Sequence, residues 1–492
     1  MFDELVSDAS DAALVDVITD SVRDEASAAA RRFAAIAELT DRRCAEELAE
    51  EREYWACDAW DCVAAEIAAA QMISHRAAST LMHQALALRH RLPKVGALLA
   101  AGAITAPMAT LACWRTRLVN QPDVLAAIDA DLADTIVAWG RLSQARLEIA
   151  VDAIIDTRDP AAVLAYRAAA RSRDIQLGKQ DDTTGTTSLW GRLQATDGEL
   201  LTRRLDAMAK SVCPDDPRAM GERRSDALGI LAAGGEALPC RCEQPECPNT
   251  GTDARATSVV IHVLTDQHPD DPTGPSAPTP TGTDPPPAIT CPTGTAVIAG
   301  GAVIPAPLLA ELRRMGAVVK PVPDLAALGA ESGYRPSTLL QRFVRARDMT
   351  CCQPGCDRPA EYCDLDHSIP YGRGPTHPGN MKCLCRKHHL LKTFWAGTGG
   401  WHDEQLPDGT ILWTAPTGHR YRTPPGSRLH FPRWDTNTPA PSTAPATSTS
   451  GSSDRGLNMP LRKRTRAQQR ALAISSERAR NIRLIEGNPP PF

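Results

Sequence analysis

Between Cys351 and Lys392 the chain reads CCQPGCDRPAEYCDLDHSIPYGRGPTHPGNMKCLCRKHHLLK, with six cysteines and four histidines. Cys351 and Cys356 flank a Gln-Pro-Gly turn as C-x4-C, or C-x3-C if Cys352 serves instead, and Cys385 and His388 form C-x2-H. Two close ligand pairs separated by a loop suit a closed tetrahedral Cys3His site, the usual form of structural zinc. Such an ion fastens a small module that has little core of its own. The bland alternative is a set of buried free thiols, but the knuckle-like spacing of both pairs favours metal. Cys352 is the alternative first ligand.

A second set of residues is interleaved with the first: Asp366, His367, Asn380 and His389. His389 follows His388 directly, and neighbours on a helix point about 100° apart. One imidazole can therefore face the zinc while the other faces a second site. Asp366 and His389 together can hold a divalent ion with positions left open for phosphate oxygens and water. His367 points away from Asp366 along an extended strand, which leaves it free to act as a general base. Asn380 lies in a Pro-Gly-Asn turn, where its amide can bind backbone groups and fix the loop.

Asp-His, twelve intervening residues, Asn, eight more and His, all inside a frame of cysteine pairs, resembles the zinc-stapled branch of the HNH endonucleases. The resemblance covers about 90 residues of the sequence. It implies a ββα-metal fold with His367 activating water, Asp366 and His389 holding the catalytic ion, and Asn380 positioning the loop. It also implies Cys351, Cys356, Cys385 and His388 as structural zinc ligands. The implied reaction is hydrolysis of DNA phosphodiesters to 5′-phosphate and 3′-hydroxyl ends, in phage or mobile DNA or in host DNA processing. The catalytic ion would be Mg²⁺ or Mn²⁺, with Zn²⁺ or Ni²⁺ also compatible with an Asp/His site. Arg373, Lys382, Arg386, Lys387 and Lys392 surround the cluster and are expected to hold flanking phosphates by charge. The competing function is a zinc-stabilised DNA-binding protein with little or no cleavage.

The surrounding chain must position these groups. Residues 1–150 hold 37 alanines but only three prolines and three glycines, with a net charge of −9. That is a helical composition, and an Ala-rich helical domain is expected over 1–210. A short strand at 187–193 and a helix at 196–210 close that region, and a mixed segment is expected over 211–335, with strands at 258–264 and 317–322, a helix at 306–315 and a Pro-rich disordered insert at 268–290. The nuclease module is placed at 341–432, where the net charge is positive and seven of the twelve histidines fall. Residues 433–492 read as a linker and a disordered basic tail, with a helix plausible at 461–485. The fold class expected is therefore α+β. A long Ala-rich region, the lead-in GYRPSTLLQRFVRARD, the HNH-like motif and a basic end together resemble the mycobacterial thirteen-E-twelve repeat family, which joins an actinobacterial domain of unknown function to such a module.

Three weaker signals remain. Cys240, Cys242 and Cys247 form C-x-C-x4-C, with Cys291 across the insert as a fourth thiol; a Cys-containing loop is the simpler reading and a second zinc the sharper one. Residues 62–117 have the rhythm of a helix-turn-helix, with Ser74, His75 and Arg76 opening the second helix, but a plain helical bundle is favoured because periodicity shows helices and not grooves. Arg462, Lys463, Arg464, Arg466 and Arg470 could track nucleic acid, and the acidic front and basic back point the same way. No run of eighteen apolar residues occurs in the sequence, so no membrane span is expected. The acidic start has no basic or apolar leader, so a cytoplasmic setting is expected.

Overall fold

The computed structural model describes residues 9–45, 50–139, 142–163, 174–181, 186–242, 244, 246–249, 253–257, 260–263, 296–298, 303–304, 318–321, 328–395, 399–431, 434–438 and 459–487. It is a mixed α and β structure, helical in its N-terminal half and carrying several small sheets. The chain divides into two units. One comprises residues 1–171, 393–396 and 452–492, the other 172–392 and 397–451.

In the first unit the Ala-rich sequence forms α1 (Asp11–Ala45), α2 (Ala59–Gln71), α3 (His75–Leu86), α4 (Pro93–Ala100), α5 (Ala106–Arg115), α6 (Pro122–Thr135) and α7 (Gln144–Arg158). Pro93, Pro107 and Pro122 all sit in the first turn of a helix, where a missing N–H costs nothing. Asp58, Ser74 and Thr105 cap α2, α3 and α5 by accepting backbone N–H groups. Phe33, Ile36, Val63, Ile67, Met82, Leu99, Ile128 and Ile155 lie in one buried core. His75, which would open a recognition helix only in the less favoured helix-turn-helix reading, turns inward and pairs with buried Asp61 at 3.1 Å.

The C-terminal segment belongs to this same unit and departs from expectation. Residues 466–487 form a helix, here α12 (Arg466–Gly487), where one was expected at 461–485, so this stretch is not part of a disordered tail. Arg462 and Arg466 bind Asp58 and Asp61 at 2.7–3.0 Å. Arg478 binds Asp159, and fully buried Asn481 donates to the carbonyls of Ala161 and Val163. The charge asymmetry read as a nucleic-acid signal is thus satisfied in part within the molecule: basic residues at the end neutralise the buried acids Asp58, Asp61 and Asp159.

The second unit opens with a hairpin, β1 (Asp174–Asp181) with β2 (Thr186–Arg192), followed by α8 (Ala195–Lys210) and α9 (Met220–Ala232). A four-stranded sheet of order β5-β4-β3-β6 follows, built from β3 (Val260–Val263), β4 (Ala296–Ile298), β5 (Val303–Ile304) and β6 (Val318–Pro321), with β3 and β6 parallel. The expected helix at 306–315, the insert at 268–290 and Cys291 lie outside the described residues.

The elements that carry the site are α10 (Thr338–Asp348), the antiparallel pair β7 (Cys363–His367) and β8 (Met381–Cys385), and α11 (Arg386–Phe394). Behind them is an antiparallel sheet of β9 (His402–Gln405), β10 (Ile411–Thr414) and β11 (Arg420–Thr423). Strand, strand and helix thus follow in the order ββα. Arg347 of α10 has no exposed surface; it pairs with Asp348 and donates to the carbonyls of Pro378 and Met381 at 2.7 and 2.6 Å. Asp348 in turn accepts the Cys383 amide at 2.8 Å. The basic lead-in RFVRARD therefore braces β8 and the loop before it. No helix among the described residues is long and apolar enough to cross a membrane.

Candidate functional site

Cys351 and Cys356 come from the turn before β7, Cys385 ends β8, and His388 lies in the first turn of α11. Their ligand atoms all lie within 4.8 Å of one another, so the four residues can hold a metal ion such as zinc. His388 presents Nδ1 to Cys351 Sγ at 3.5 Å and to Cys385 Sγ at 3.3 Å. The Cys385 amide donates to Cys351 Sγ at 3.2 Å. Contacts from Cys351 and Cys356 hold the Cys385 thiol far below its ordinary range, while burial drives the Cys351 thiol up. The choice between Cys351 and Cys352 falls to Cys351; Cys352 is buried with its sulfur toward the Thr350 carbonyl. Cys363 and Cys383 face the carbonyls of Pro359 and Val344.

Asp366 and His367 occupy consecutive positions of β7, and strand alternation sends them to different surroundings. Nε2 of His389 faces Asp366 Oδ1 at 3.6 Å, close enough for one ion to bridge the two. On its other side, His389 Nδ1 meets Asp364 Oδ2 at 2.8 Å. A carboxylate behind the imidazole fixes the ring and its tautomer. The sequence reading missed Asp364, although its place two residues before Asp366 puts both on one face of the strand.

The other oxygen of Asp366 is occupied. Lys382 and Lys392 reach Asp366 Oδ2 at 2.7 and 2.6 Å, and both also pair with buried Asp403 of β9 at 2.7 and 3.0 Å. Burial alone would raise the Asp366 carboxyl, but the two ammonium groups outweigh it and hold it at about 2. Lys382 has no exposed surface. The expectation that Lys382 and Lys392 hold DNA phosphates is therefore corrected: both are spent on a buried quartet of two carboxylates and two ammoniums. Lys382 lies inside the module because its charge is paired twice, and Lys392 donates further to the His367 carbonyl at 2.5 Å. Asp403 lay outside the motif, and no spacing signal in the sequence points to it. Arg373, Arg386 and Lys387 are exposed, and Arg386 pairs with Asp364 at 3.2 Å.

His367 is buried, with Nε2 at 2.9 Å from Thr376 Oγ1. The Thr376 hydroxyl donates to the Gly333 carbonyl at 2.6 Å, so its oxygen accepts from Nε2–H, and the network assigns the lone pair to Nδ1. Tyr334 stacks on the ring at 5.5 Å and Tyr371 lies beside it at 5.8 Å. Burial lowers the His367 pKa and keeps the imidazole neutral. Asn380 is fully buried; it accepts the Ile369 amide at 2.7 Å and donates to the carbonyls of Ile369 and Pro375 at 3.0 and 2.8 Å. Its amide ties together both ends of the loop that carries Tyr371 and Arg373.

Residues 20–348 match the family described as domain of unknown function (DUF222). The chain belongs to the DUF222 family. The match ends at Asp348, the last residue of α10, so the Cys/His cluster begins three residues beyond it. Similar chains cross that boundary. "Uncharacterized protein Rv2100" of Mycobacterium tuberculosis (strain ATCC 25618 / H37Rv) is 51% identical over 98% of this chain and 90% of its own length. "Uncharacterized protein Rv3776" of the same strain is 50% identical over 98% and 92%. No solved structure matches the chain.

Proposed function

We propose that this DUF222 chain is a metal-dependent endonuclease of the HNH type, cutting DNA phosphodiesters to leave 5′-phosphate and 3′-hydroxyl ends. One juxtaposition supports this reading. Within a ββα element, the strand that carries His367 also carries Asp366, and Asp366 meets His389 of the helix beside a cluster fit for zinc. Cys351, Cys356, Cys385 and His388 bind the structural zinc. Asp366 and His389 hold the catalytic ion, Mg²⁺ or Mn²⁺ or else Zn²⁺ or Ni²⁺, which when bound offsets negative charge on the phosphate and the leaving 3′ oxygen.

The chain's own residues do the rest. His367 accepts a proton from the attacking water at Nδ1, because Nε2 is committed to Thr376. Its lowered pKa keeps the lone pair available near neutral pH. Asp364 orients His389 and supports its basicity. Arg373, Arg386 and Lys387 hold flanking phosphates by charge and carry no base specificity.

A second reading has its own observation. The quartet of Asp366, Asp403, Lys382 and Lys392 balances its charges without an ion, as suits a zinc-stabilised DNA-binding protein that does not cut. Supercoiled plasmid incubated with the purified chain, with and without Mg²⁺ or Mn²⁺, separates the two. Metal-dependent nicking that His367→Ala abolishes while DNA binding persists fits the nuclease. Binding without nicking under every metal fits the second reading.

A further inference from the structure

Cys213, Cys240, Cys242 and Cys247 bring their sulfurs within 4.8 Å of one another, and we infer that they form a second structural zinc site, a closed tetrathiolate. Three of these cysteines follow α9 in one short loop. The fourth, Cys213, comes from the residues just after α8, upstream of the other three and not from beyond the Pro-rich stretch. The Sγ atoms of Cys213 and Cys240 are 3.2 Å apart. That is well beyond the roughly 2.0 Å of a disulfide and close to the roughly 3.8 Å between thiolates on a zinc ion bound at about 2.3 Å.

Backbone amides donate to the sulfurs in a repeated pattern. The amides of Asp215, Gln244 and Asn249 bond to the sulfurs of Cys213, Cys242 and Cys247, each from two residues further along the chain. The Arg358 amide stands in the same relation to Cys356 in the Cys3His cluster. The two clusters thus share one local geometry, a backbone amide donor two residues beyond a cysteine, turned toward its sulfur.

The loops are also fixed from behind. Asp216 has a fully buried side chain and takes both the Arg218 guanidinium at 2.7 Å and the Arg241 amide at 3.0 Å. Arg218 reaches on to the Pro239 carbonyl at 2.7 Å, and the Cys240 amide closes the loop onto the Asn249 carbonyl at 2.9 Å. Among the described residues, this frame has little apolar mass. The buried cluster joining α8 and α9 consists of Met208, Val212, Ala227, Ile230 and Leu238, too few to hold a helical pair without a staple. With all four positions taken by thiolates the ion has no open site, so its role is to hold α8 and α9 together and not to catalyse.

The test uses the full-length chain. Native mass spectrometry after expression with zinc is expected to find two zinc ions per chain, and Cys247→Ser is expected to keep one. A wild-type chain with a single zinc, or Cys247→Ser still holding two, overturns the site. Should Cys247→Ser not fold, stepwise metal release from the wild type by a mercurial, followed by thiol alkylation and peptide mapping, decides. Cys213, Cys240, Cys242 and Cys247 are expected to become alkylated together as one zinc leaves. Their alkylation before any metal loss, or the mass deficit of a Cys213–Cys240 disulfide, overturns the proposal.

Discussion

Two clusters of four ligands sit in the same unit of this molecule, and they differ in what surrounds them. Cys351, Cys356, Cys385 and His388 lie beside ionisable groups with stated tasks: His389 backed by Asp364, Asp366 in its quartet, and His367 held by Thr376. Cys213, Cys240, Cys242 and Cys247 lie beside arginine–aspartate pairs that only fix loops. On the two proposals above, the same coordination chemistry would serve two ends. One cluster would anchor the helix that brings His389 to Asp366, and the other would brace a helical pair with a small apolar core.

The sharpest way to break that contrast is to remove one thiolate from each cluster. Cys385→Ser is expected to lose a zinc and essentially all nicking, because β8 and α11 lose their shared anchor. Cys247→Ser is expected to lose a zinc and leave nicking near wild type. Metal analysis paired with plasmid assays reads both, and equal activity losses would erase the distinction. Beside the first cluster, His367→Ala is expected to lower the nicking rate by about 10²–10⁴-fold, the usual contribution of a positioned base, with gel-shift affinity retained.

Asp364→Asn is expected to weaken divalent-ion affinity by about 10–100-fold, as loss of a carboxylate behind a metal-binding histidine does; a titration of rate against Mn²⁺ measures it. Asp403→Ala strips one carboxylate from buried Lys382 and is expected to destabilise the module by about 3–5 kcal/mol, read by denaturant unfolding. The smallest effect expected is on the acid side of the pH profile. Burial lowers His367 below its ordinary 6.5, so cleavage should persist as pH falls through that value and decline only at lower pH. The same depression means that the unfolded chain takes up the proton first, so this residue's contribution to stability falls as pH drops below 6.5. A rate profile whose acid limb lies above 6.5 would remove His367 from the role of base.

The contrast also explains what could be read from sequence. The Cys3His cluster is visible because each pair of ligands sits within one turn of chain, at spacings that metal geometry requires. Helices were legible over 59–135 because alanine is abundant and the three prolines fall at helix starts. The tetrathiolate was only three-quarters visible: Cys213 stands alone in the sequence and reaches the others through the packing of α8 on α9. Lys382 and Lys392 looked like surface cations because nothing near them in sequence announces Asp403. The basic tail looked free because its partners Asp58, Asp61 and Asp159 lie more than 300 residues away in the chain. Local spacing is legible; pairing of charges across long stretches of chain is settled by tertiary structure alone.

The central claim is that a neutral imidazole and an Asp/His-held ion act on one phosphodiester. It is tested most directly by following a supercoiled plasmid with wild type and His367→Ala side by side, across Mg²⁺ and Mn²⁺ concentrations. The account predicts metal-dependent conversion to nicked circles by the wild type and none above background by the variant, with both proteins binding the DNA equally. Equal nicking by the two proteins, or none by either at any metal concentration, would contradict it.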